Sequence, residues 1–332
     1  MKLISLEDLP DNFKVGLENE FQIELFRKAI EKLGKRKPLA KELRCHPNTV
    51  SKMKKNYLFI KIFRLKKLAE ITQVPLQDIE KKVISIGIFT KKQKGVKFKL
   101  PLESTPELSS LIGHGMGDGW LRDNFEFGFF NNRKELIDEV TKCMQIAFST
   151  TLEPTERKYK PGEIIFSSKI GIMLELAGLP KGEKVFKPFD VPKWILHGNK
   201  EIKIAFIRAL FDDEGWVKVK FIRQSSSTQR MIGINMTKSV EFINEHNNFL
   251  ENIRTMLLDL GIKSSKIVEM GKSVNGVNLG FIISNLENLK KFLVIIGFTH
   301  IAKRNRLVDC LEKSKKFNQL FPSIIQTFKE NI

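Results

Sequence analysis

Leu111–Gly119 reads LIGHGMGDG and Ile207–Gly215 reads IRALFDDEG. Each is an apolar stretch of helical character that runs into an acid followed at once by glycine. Each therefore reads as a helix with a carboxylate at its C-terminal tip. Asp118 and Glu214 hold matching places, 96 residues apart (214 − 118). A helix ends in unpaired carbonyls and the negative pole of its dipole. A carboxylate added there makes an oxygen-rich pocket suited to Mg²⁺, which takes one or two carboxylates plus water and phosphate oxygens. Gly113, Gly117 and Ala209 are small enough to let two such helices pack side by side and bring both tips together. One acid before a glycine is ordinarily a helix end or turn; two in matching context point to a duplication. GHGMGDG superficially looks like a phosphate loop, but no strand precedes it and the loop lysine is missing.

Lys and Arg number 57 against 38 Asp and Glu, a net charge of +19, which implies an anionic partner, nucleic acid first. The lysines are spread along the whole chain rather than gathered on one amphipathic segment, which argues against a membrane surface. The longest apolar run, Phe292–Phe298, is too short to span a bilayer. The N-terminus has no signal-peptide pattern. Cys45, Cys143 and Cys310 are too few and scattered for a disulfide framework or a zinc site. They read as reduced core residues of a cytoplasmic, nucleoid-associated protein.

From residue 100 onward the sequence repeats an order of helix, two strands, helix, two strands, helix. Thr105-Pro106-Glu107 starts the first motif helix and Asn199 caps the second. FGFFNN (127–132) corresponds to IGINMT (232–237), and Ala177-Gly178-Leu179 to Ile296-Gly297-Phe298. The expected repeats are 103–198 and 199–332. In WVKVKF, Val217, Val219 and Phe221 alternate with Trp216, Lys218 and Lys220. The first set is expected to pack on helices and the second to lie open. Arg223, Gln224, Arg230 and Asn235 follow on the same sheet or its loop. Lysines there suit phosphates, and Arg, Gln and Asn suit base edges.

Residues 20–86 read as entirely helical: Glu20–Leu33, Leu39–Arg44, Asn48–Lys55, Leu65–Gln73 and Leu76–Val83. The order resembles a five-helix helix-turn-helix domain of the lambda-repressor type, placed at 1–90. In such a domain the second element of the motif enters the major groove, so Asn48, Thr49, Ser51 and Lys52 would face bases or phosphates. The stretch 91–102 is expected to be a basic linker, with Thr90–Lys99 a linker or edge strand.

The paired acid-tipped helices resemble the LAGLIDADG homing endonucleases over about residues 100–315. The resemblance implies an α+β fold of two pseudo-symmetric αββαββα repeats with antiparallel DNA-binding sheets, preceded here by an all-α domain. It implies a monomer that cuts both strands of double-stranded DNA with Mg²⁺ held by Asp118 and Glu214. It also implies a lysine after each repeat's later helix: LPKGEKVFKPFDVPKWIL points to Lys184 and GFTHIAK to Lys303. Such a lysine could stabilise the pentavalent phosphate or polarise the attacking water. Ala209 and Glu214 depart from the commonest motif letters in ways the family accepts, and His114 is expected only to pack. With no splicing-type residues at its ends, the chain reads as free-standing or intron-encoded. A non-cleaving DNA-binding regulator on the same fold and a maturase acting on structured intron RNA are the alternatives.

Overall fold

The structure, a computed structural model, describes residues 2–87, 96–97, 99–151, 153–222 and 227–312. The chain divides into two compact units, Met1–Ser104 with Met144–Glu153, and Thr105–Cys143 with Pro154 onward.

The first unit contains β1 (Lys2–Ile4), β2 (Lys14–Leu17), α1 (Asn19–Lys32), α2 (Arg36–Glu42), α3 (Pro47–Lys54), β3 (Ile60–Lys61), α4 (Ile62–Thr72), α5 (Leu76–Glu80), β4 (Val83–Gly87), β5 (Val96–Lys97) and β6 (Leu102–Glu103). Five helices stand in the expected places, but the all-helical reading of this region is corrected by an antiparallel sheet of order β3-β2-β4-β5. The expected Leu76–Val83 helix stops at Glu80, and Val83 opens β4. Three β-branched residues in five (Val83, Ile84, Ile86) favour extended chain there. The sequence reading ran the helical pattern past that change. At Gly16 of β2 an added Cβ would lie 2.5 Å from Ser85 Oγ and 2.7 Å from the Phe59 ring, so only glycine lets this pairing close. The stretch 91–102 is not a plain linker either. Val96–Lys97 pairs with β4 at the edge of that sheet, and Leu102 pairs with Ile4 of β1; residues 91–95 and 98 lie outside the described residues.

The second unit shows the duplication directly. Its first half is α6 (Pro106–Met116), β7 (Gly119–Leu121), β8 (Phe127–Phe130), α7 (Lys134–Ala147, its last turn falling in the first unit), β9 (Thr155–Glu156), β10 (Glu163–Phe166) and α8 (Ser168–Leu176). After the short α9 (Lys193–Leu196) come α10 (Lys200–Glu214), β11 (Gly215–Ile222), β12 (Ser227–Lys238), α11 (Ile243–Asp259), β13 (Val268–Ser273), β14 (Gly276–Ile283) and α12 (Leu286–Lys291). A π-turn, Phe292–Ile296, and α13 (Ile301–Glu312) follow. The two antiparallel sheets have the same order, β7-β8-β10-β9 and β11-β12-β14-β13. In both, a tryptophan faces a cross-strand glycine, Trp120 with Gly128 and Trp216 with Gly233. A Cβ on either glycine would come within 2.3 Å or 2.1 Å of the indole. The fold is α+β.

Capping sets where the motif helices begin. Thr105 Oγ1 accepts the Leu108 N–H at 3.2 Å with Pro106 just behind it, and Asn199 Oδ1 accepts the Ile202 N–H at 3.0 Å. Ser109, Gly113 and Gly117 fall four residues apart, on one face of α6, and that face meets α10. Ser109 Oγ donates to the Ile202 carbonyl at 2.8 Å. A Cβ at Gly113 would lie 2.8 Å from both Ala209 Cβ and the Phe206 carbonyl oxygen. The two backbones are thus as close as the small residues permit, and both C-termini arrive at one place.

Candidate active centre and nucleic-acid face

Asp118 follows Gly117, the C-cap of α6, and Glu214 is the last residue of α10. Three acids stand in a row at the end of α10, and their surroundings divide the work. Asp212 is 1% exposed. It accepts the backbone N–H groups of Thr299 (3.1 Å) and His300 (2.9 Å), fixing the turn that leads into α13. Asp213, whose side chain is fully buried, lies with its two oxygens 3.0 and 3.1 Å from His114 Nδ1, and accepts the Asp118 N–H at 3.2 Å. Glu214 is half-buried, and its carboxylate accepts none of the hydrogen bonds that hold Asp212 and Asp213. Asn131 Nδ2 donates to Asp118 Oδ2 at 2.8 Å and orients that carboxylate.

Burial, with the like charge of Asp213, raises Asp118 to about 6, against the opposing pull of Lys184 and Lys303. Asp118 reaches solvent at the mouth of the site, but protein crowds its carboxyl on the inner side. Glu214 is raised to about 7, by burial first, while Lys184 opposes and Asp118 adds to the rise. The two acids therefore share one negative, poorly solvated site. The lysines complete it. Lys184 Nζ donates to the carbonyls of Gly115 (3.0 Å), Met116 (2.9 Å) and Gly119 (2.8 Å), and also to that of Gly117. Lys303 Nζ donates to the backbone carbonyls of Phe211 (3.2 Å), Asp212 (2.5 Å) and Asp213 (3.2 Å). Each ammonium plugs the C-terminal end of its own repeat's motif helix, countering the dipole and the orphan carbonyls. Burial lowers Lys184 to about 8 and lowers Lys303 as well, against the pull of the acids.

Among the described residues no cluster of three or more His, Cys, Asp or Glu side chains is arranged to hold a metal ion. With Asp212 and Asp213 committed elsewhere, the donors left are the carboxylates of Asp118 and Glu214. That all-oxygen pair fits Mg²⁺, whose remaining ligands come from water and phosphate; it does not fit a softer metal that needs His or Cys.

The second sheet carries an open polar face. Lys218 and Lys220 are exposed, with Gln229 and Met231 opposite them across the strand. Trp216 Nε1 donates to Asn235 Oδ1 at 2.5 Å, and Asn235 Nδ2 donates to Asn278 Oδ1 at 3.0 Å, a ladder across β11, β12 and β14. Two details differ from the expected face. Val217 is buried but Val219 is exposed. Arg230 pairs in register with Val219, and strand alternation puts it on the face opposite Lys218 and Lys220. Phe221 is part of β11; Arg223 and Gln224 lie outside the described residues. In the first repeat a cleft of about 930 Å³ runs beside Lys184, over Trp120, Arg122, Lys160 and Lys187.

In the first unit, α2 and α3 are joined by a tight turn in which Arg44 adopts φ +45°. Asn48 and Lys52, one turn apart on α3, are exposed, and Thr49 and Ser51 are half-buried. Ser51 Oγ is engaged by Arg36 at 2.6 Å. Asn131, Asp213 and Asn278 were not foreseen. The acid run DDEG could have flagged Asp213, whereas only the bond to Asp118 reveals Asn131 and only the cross-strand register reveals Asn278.

Residues 201–297 match the family model of the LAGLIDADG-like domain. The chain carries a LAGLIDADG-like domain. The match runs from the first turn of α10 to Gly297, just past the π-turn, so it takes in one whole motif helix and both hairpins of the second repeat. The chain is 27% identical over 236 residues to glutamine–fructose-6-phosphate aminotransferase of Methanocaldococcus jannaschii, covering 70% of this chain and 20% of that protein. It is 27% identical over 212 residues to the tRNA-splicing ligase RtcB of Methanopyrus kandleri, covering 58% and 21%. It is 30% identical over 208 residues to the replication factor C small subunit of M. jannaschii, covering 57% and 11%. The chain thus spans about a fifth or less of the length of these curated relatives. Among solved structures it is similar to mesophilic variants of the homing endonuclease I-DmoI (16% identity, TM-score 0.38, 58% of this chain and 91% of that one). It is also similar to the N-terminal LAGLIDADG domain of WhiA (18%, TM-score 0.34, 60% and 86%). Scores this low carry nothing about activity. No helix of the described residues is long and apolar enough to cross a membrane.

Proposed function

We propose that this protein is a site-specific, Mg²⁺-dependent double-strand DNA endonuclease that acts as a monomer at the nucleoid. The observation that carries the reading is the meeting of Asp118 and Glu214 at the joined ends of α6 and α10, flanked by Lys184 and Lys303. One chain supplies both acids, so no second copy is needed to build the centre. Asp118 and Glu214 would hold the cation, which when bound supplies a more acidic water and neutralises the leaving oxygen. Asn131 keeps Asp118 in its ligating orientation. Lys184 and Lys303 hold positive charge at the centre, where a phosphodiester gathers negative charge in its transition state. Lys218 and Lys220 bind phosphates of the duplex, while Gln229, Asn235 and Asn278 face base edges. On the first unit, Asn48, Thr49, Ser51 and Lys52 of α3 are offered to a flanking major groove.

The relatives favour the same reading. An aminotransferase, an RNA ligase and a replication factor share no reaction, so the stretch common to them and to this chain carries none of those activities. A segment shared by proteins of unrelated activity carries a function of its own, and DNA cleavage is the one we assign to it.

The test is incubation of a plasmid target library with the protein, with Mg²⁺ and with chelator, scored for linear product. Linear product only with the cation is expected, and its loss in Asp118→Asn and Glu214→Gln with DNA binding retained. A wild-type protein that binds duplex DNA without cutting any library member would sink the endonuclease in favour of a regulator. Full activity in either variant would remove these acids from the centre.

A further inference from the structure

Lys238, the last residue of β12, is 1% exposed and among the largest fully buried side chains of the protein. Its Nζ donates to the backbone carbonyl of Lys184 at 2.5 Å and lies 3.9 Å from the centroid of the Phe189 ring. The chain continues the same grip, for the Ser239 N–H donates to the Val185 carbonyl at 3.0 Å. Phe189 in turn packs edge-on against Phe249 of α11, with centroids 4.9 Å apart. Asp190 accepts both contacts of Asn252 Nδ2, at 2.8 and 2.9 Å. The segment 184–190, near the end of the first repeat, is therefore laid down on the second. The Lys184 side chain points the other way, onto the carbonyls at the end of α6.

A lysine this deep is rare, because an ammonium loses its water at a large cost. No ion pair among the described residues includes Lys238; the Glu245 carboxylate favours its ammonium without coming within ion-pair distance. An aromatic face compensates part of the loss, and the remaining directed contact is with the Lys184 carbonyl. Methionine would fill the same space without that cost, which makes packing alone a poor explanation for a cation.

We infer that Lys238 is a positioning residue for Lys184, fixing the backbone from which the Lys184 ammonium reaches the centre. The consequence is a crossed construction. The second repeat's DNA-facing strand β12 sets the catalytic lysine that serves the first repeat's motif helix. A weaker contact of the same kind exists on the other side, where the Ile301 N–H, two residues before Lys303, donates to Glu135 Oε1 of α7 at 3.2 Å. The kinetic side of this inference rests on the endonuclease reading; the structural side does not.

The experiment uses the full-length protein and Lys238→Met, with Lys238→Gln as a variant that keeps a donor on a shorter arm. For Lys238→Met the melting temperature should stay level or rise, since a buried charge is removed, and the Kd for target DNA should not move. Single-turnover cleavage should fall roughly 10- to 100-fold, the effect of displacing a catalytic group by a fraction of an ångström to an ångström. Lys238→Gln should fall between the two. In a Lys184→Met background the Lys238→Met change should cost nothing further, because its route of action is already gone. Hydrogen exchange at the Lys184–Phe186 amides should quicken in Lys238→Met while the rest of the domain is unchanged. Wild-type cleavage rates in Lys238→Met, an additive double variant, or a melting temperature that falls with activity would each overturn the inference. A wild-type protein that cuts nothing would defeat the endonuclease reading instead. Exchange alone then decides this one: quickening confined to 184–186 supports it, and an unchanged pattern overturns it.

Discussion

In the first repeat the strands of the open sheet are two to four residues long, and alternation puts Trp120, Phe130 and Ile165 on the outer face beside buried Glu163. In the second they are six to twelve residues long and put Lys218, Lys220, Gln229, Asn235 and Asn278 there. The cations of the first face are already engaged. Lys160 and Arg157 contact Glu163 at 3.1 and 3.6 Å. Lys160 and Arg122 sit over the Trp120 ring at 5.8 and 5.9 Å; Lys218 sits over Trp216 at 5.7 Å in the same way, so the ion pairs to Glu163 make the difference. One substitution illustrates the divergence: the position of Asn235 is held in the first repeat by Phe130, which cannot present a base with a donor or an acceptor. Topology, Trp–Gly pairs and helix tips survived the duplication, because closing the fold requires them. The faces, which closure does not constrain, diverged.

The centre has an asymmetry of its own. Asp213 and His114 correspond to Gly117 and Leu210 in the other copy, so a single crossed ion pair bridges the two motif helices. Breaking it should give the largest effect on stability. His114→Leu copies the second helix onto the first and leaves the Asp213 carboxylate buried without its partner, a loss of about 3–5 kcal/mol. The double variant His114→Leu/Asp213→Leu should recover most of that, since apolar replacement of both partners is often close to neutral. Burial pulls the imidazole down, but the Asp213 carboxylate outweighs it and holds His114 above its ordinary 6.5. The pair's contribution is therefore complete below pH 6.5 and lost as pH rises through the folded value. Chemical melts of the three proteins at pH 6 and at pH 9 check this. A single variant as stable as wild type at pH 6 would show that the pair is not what joins the helices.

The carboxylates should give a smaller and opposite effect. Asp118 near 6 and Glu214 near 7 stand above their ordinary values of 3.8 and 4.5. The folded state then binds more protons than the unfolded one between about pH 4 and pH 7, and metal-free stability falls as pH rises through that window. Glu214→Gln should melt higher than wild type at pH 8 in chelator, by on the order of 2–4 °C for about 1 kcal/mol. Asp118→Asn should gain less, because solvent at the mouth of the site screens it. Added Mg²⁺ should raise the wild type and leave Glu214→Gln nearly unmoved. Variants that melt below wild type in chelator would mean that these acids stabilise the fold rather than wait for a cation.

Helix tips, the succession of helices and strands along each repeat and five N-terminal helices were legible because each is written in local pattern: a cap, an acid before glycine, a period of two or near four. The sheet of the first unit was not. Its strands are two to five residues long and pair across most of that unit, so no local period announces them. For Lys184 and Lys303 the position after the later helix was readable, but their place on the helix carbonyls was not. Sequence separation of 65 to 92 residues carries no signal of that contact. His114 looked like packing because its partner sits 99 residues away. Arg230 was assigned to the basic face because the turn was read without its register, and one residue of register moves a side chain to the other face.

The smallest effects should come from the sheets, and they sharpen the comparison between the repeats. Lys218→Ala and Lys220→Ala should each lower the magnitude of the slope of log K against log salt by about 0.9, one phosphate contact apiece, with little change in sequence preference. Asn235→Ala should instead relax discrimination at one or two base pairs, by about 1–3 kcal/mol, and leave the slope alone. The matched change in the first repeat, Phe130→Ala, should alter neither the slope nor the base preference, because that face has apolar rings where the second has amides. Binding selections on a randomised target, run at two salt concentrations for all four variants, separate these outcomes. If the wild type reads both half-sites with equal information content, the neutralised first face must reach bases by other residues. The division of labour between the repeats would then be wrong even if the cleavage centre is right.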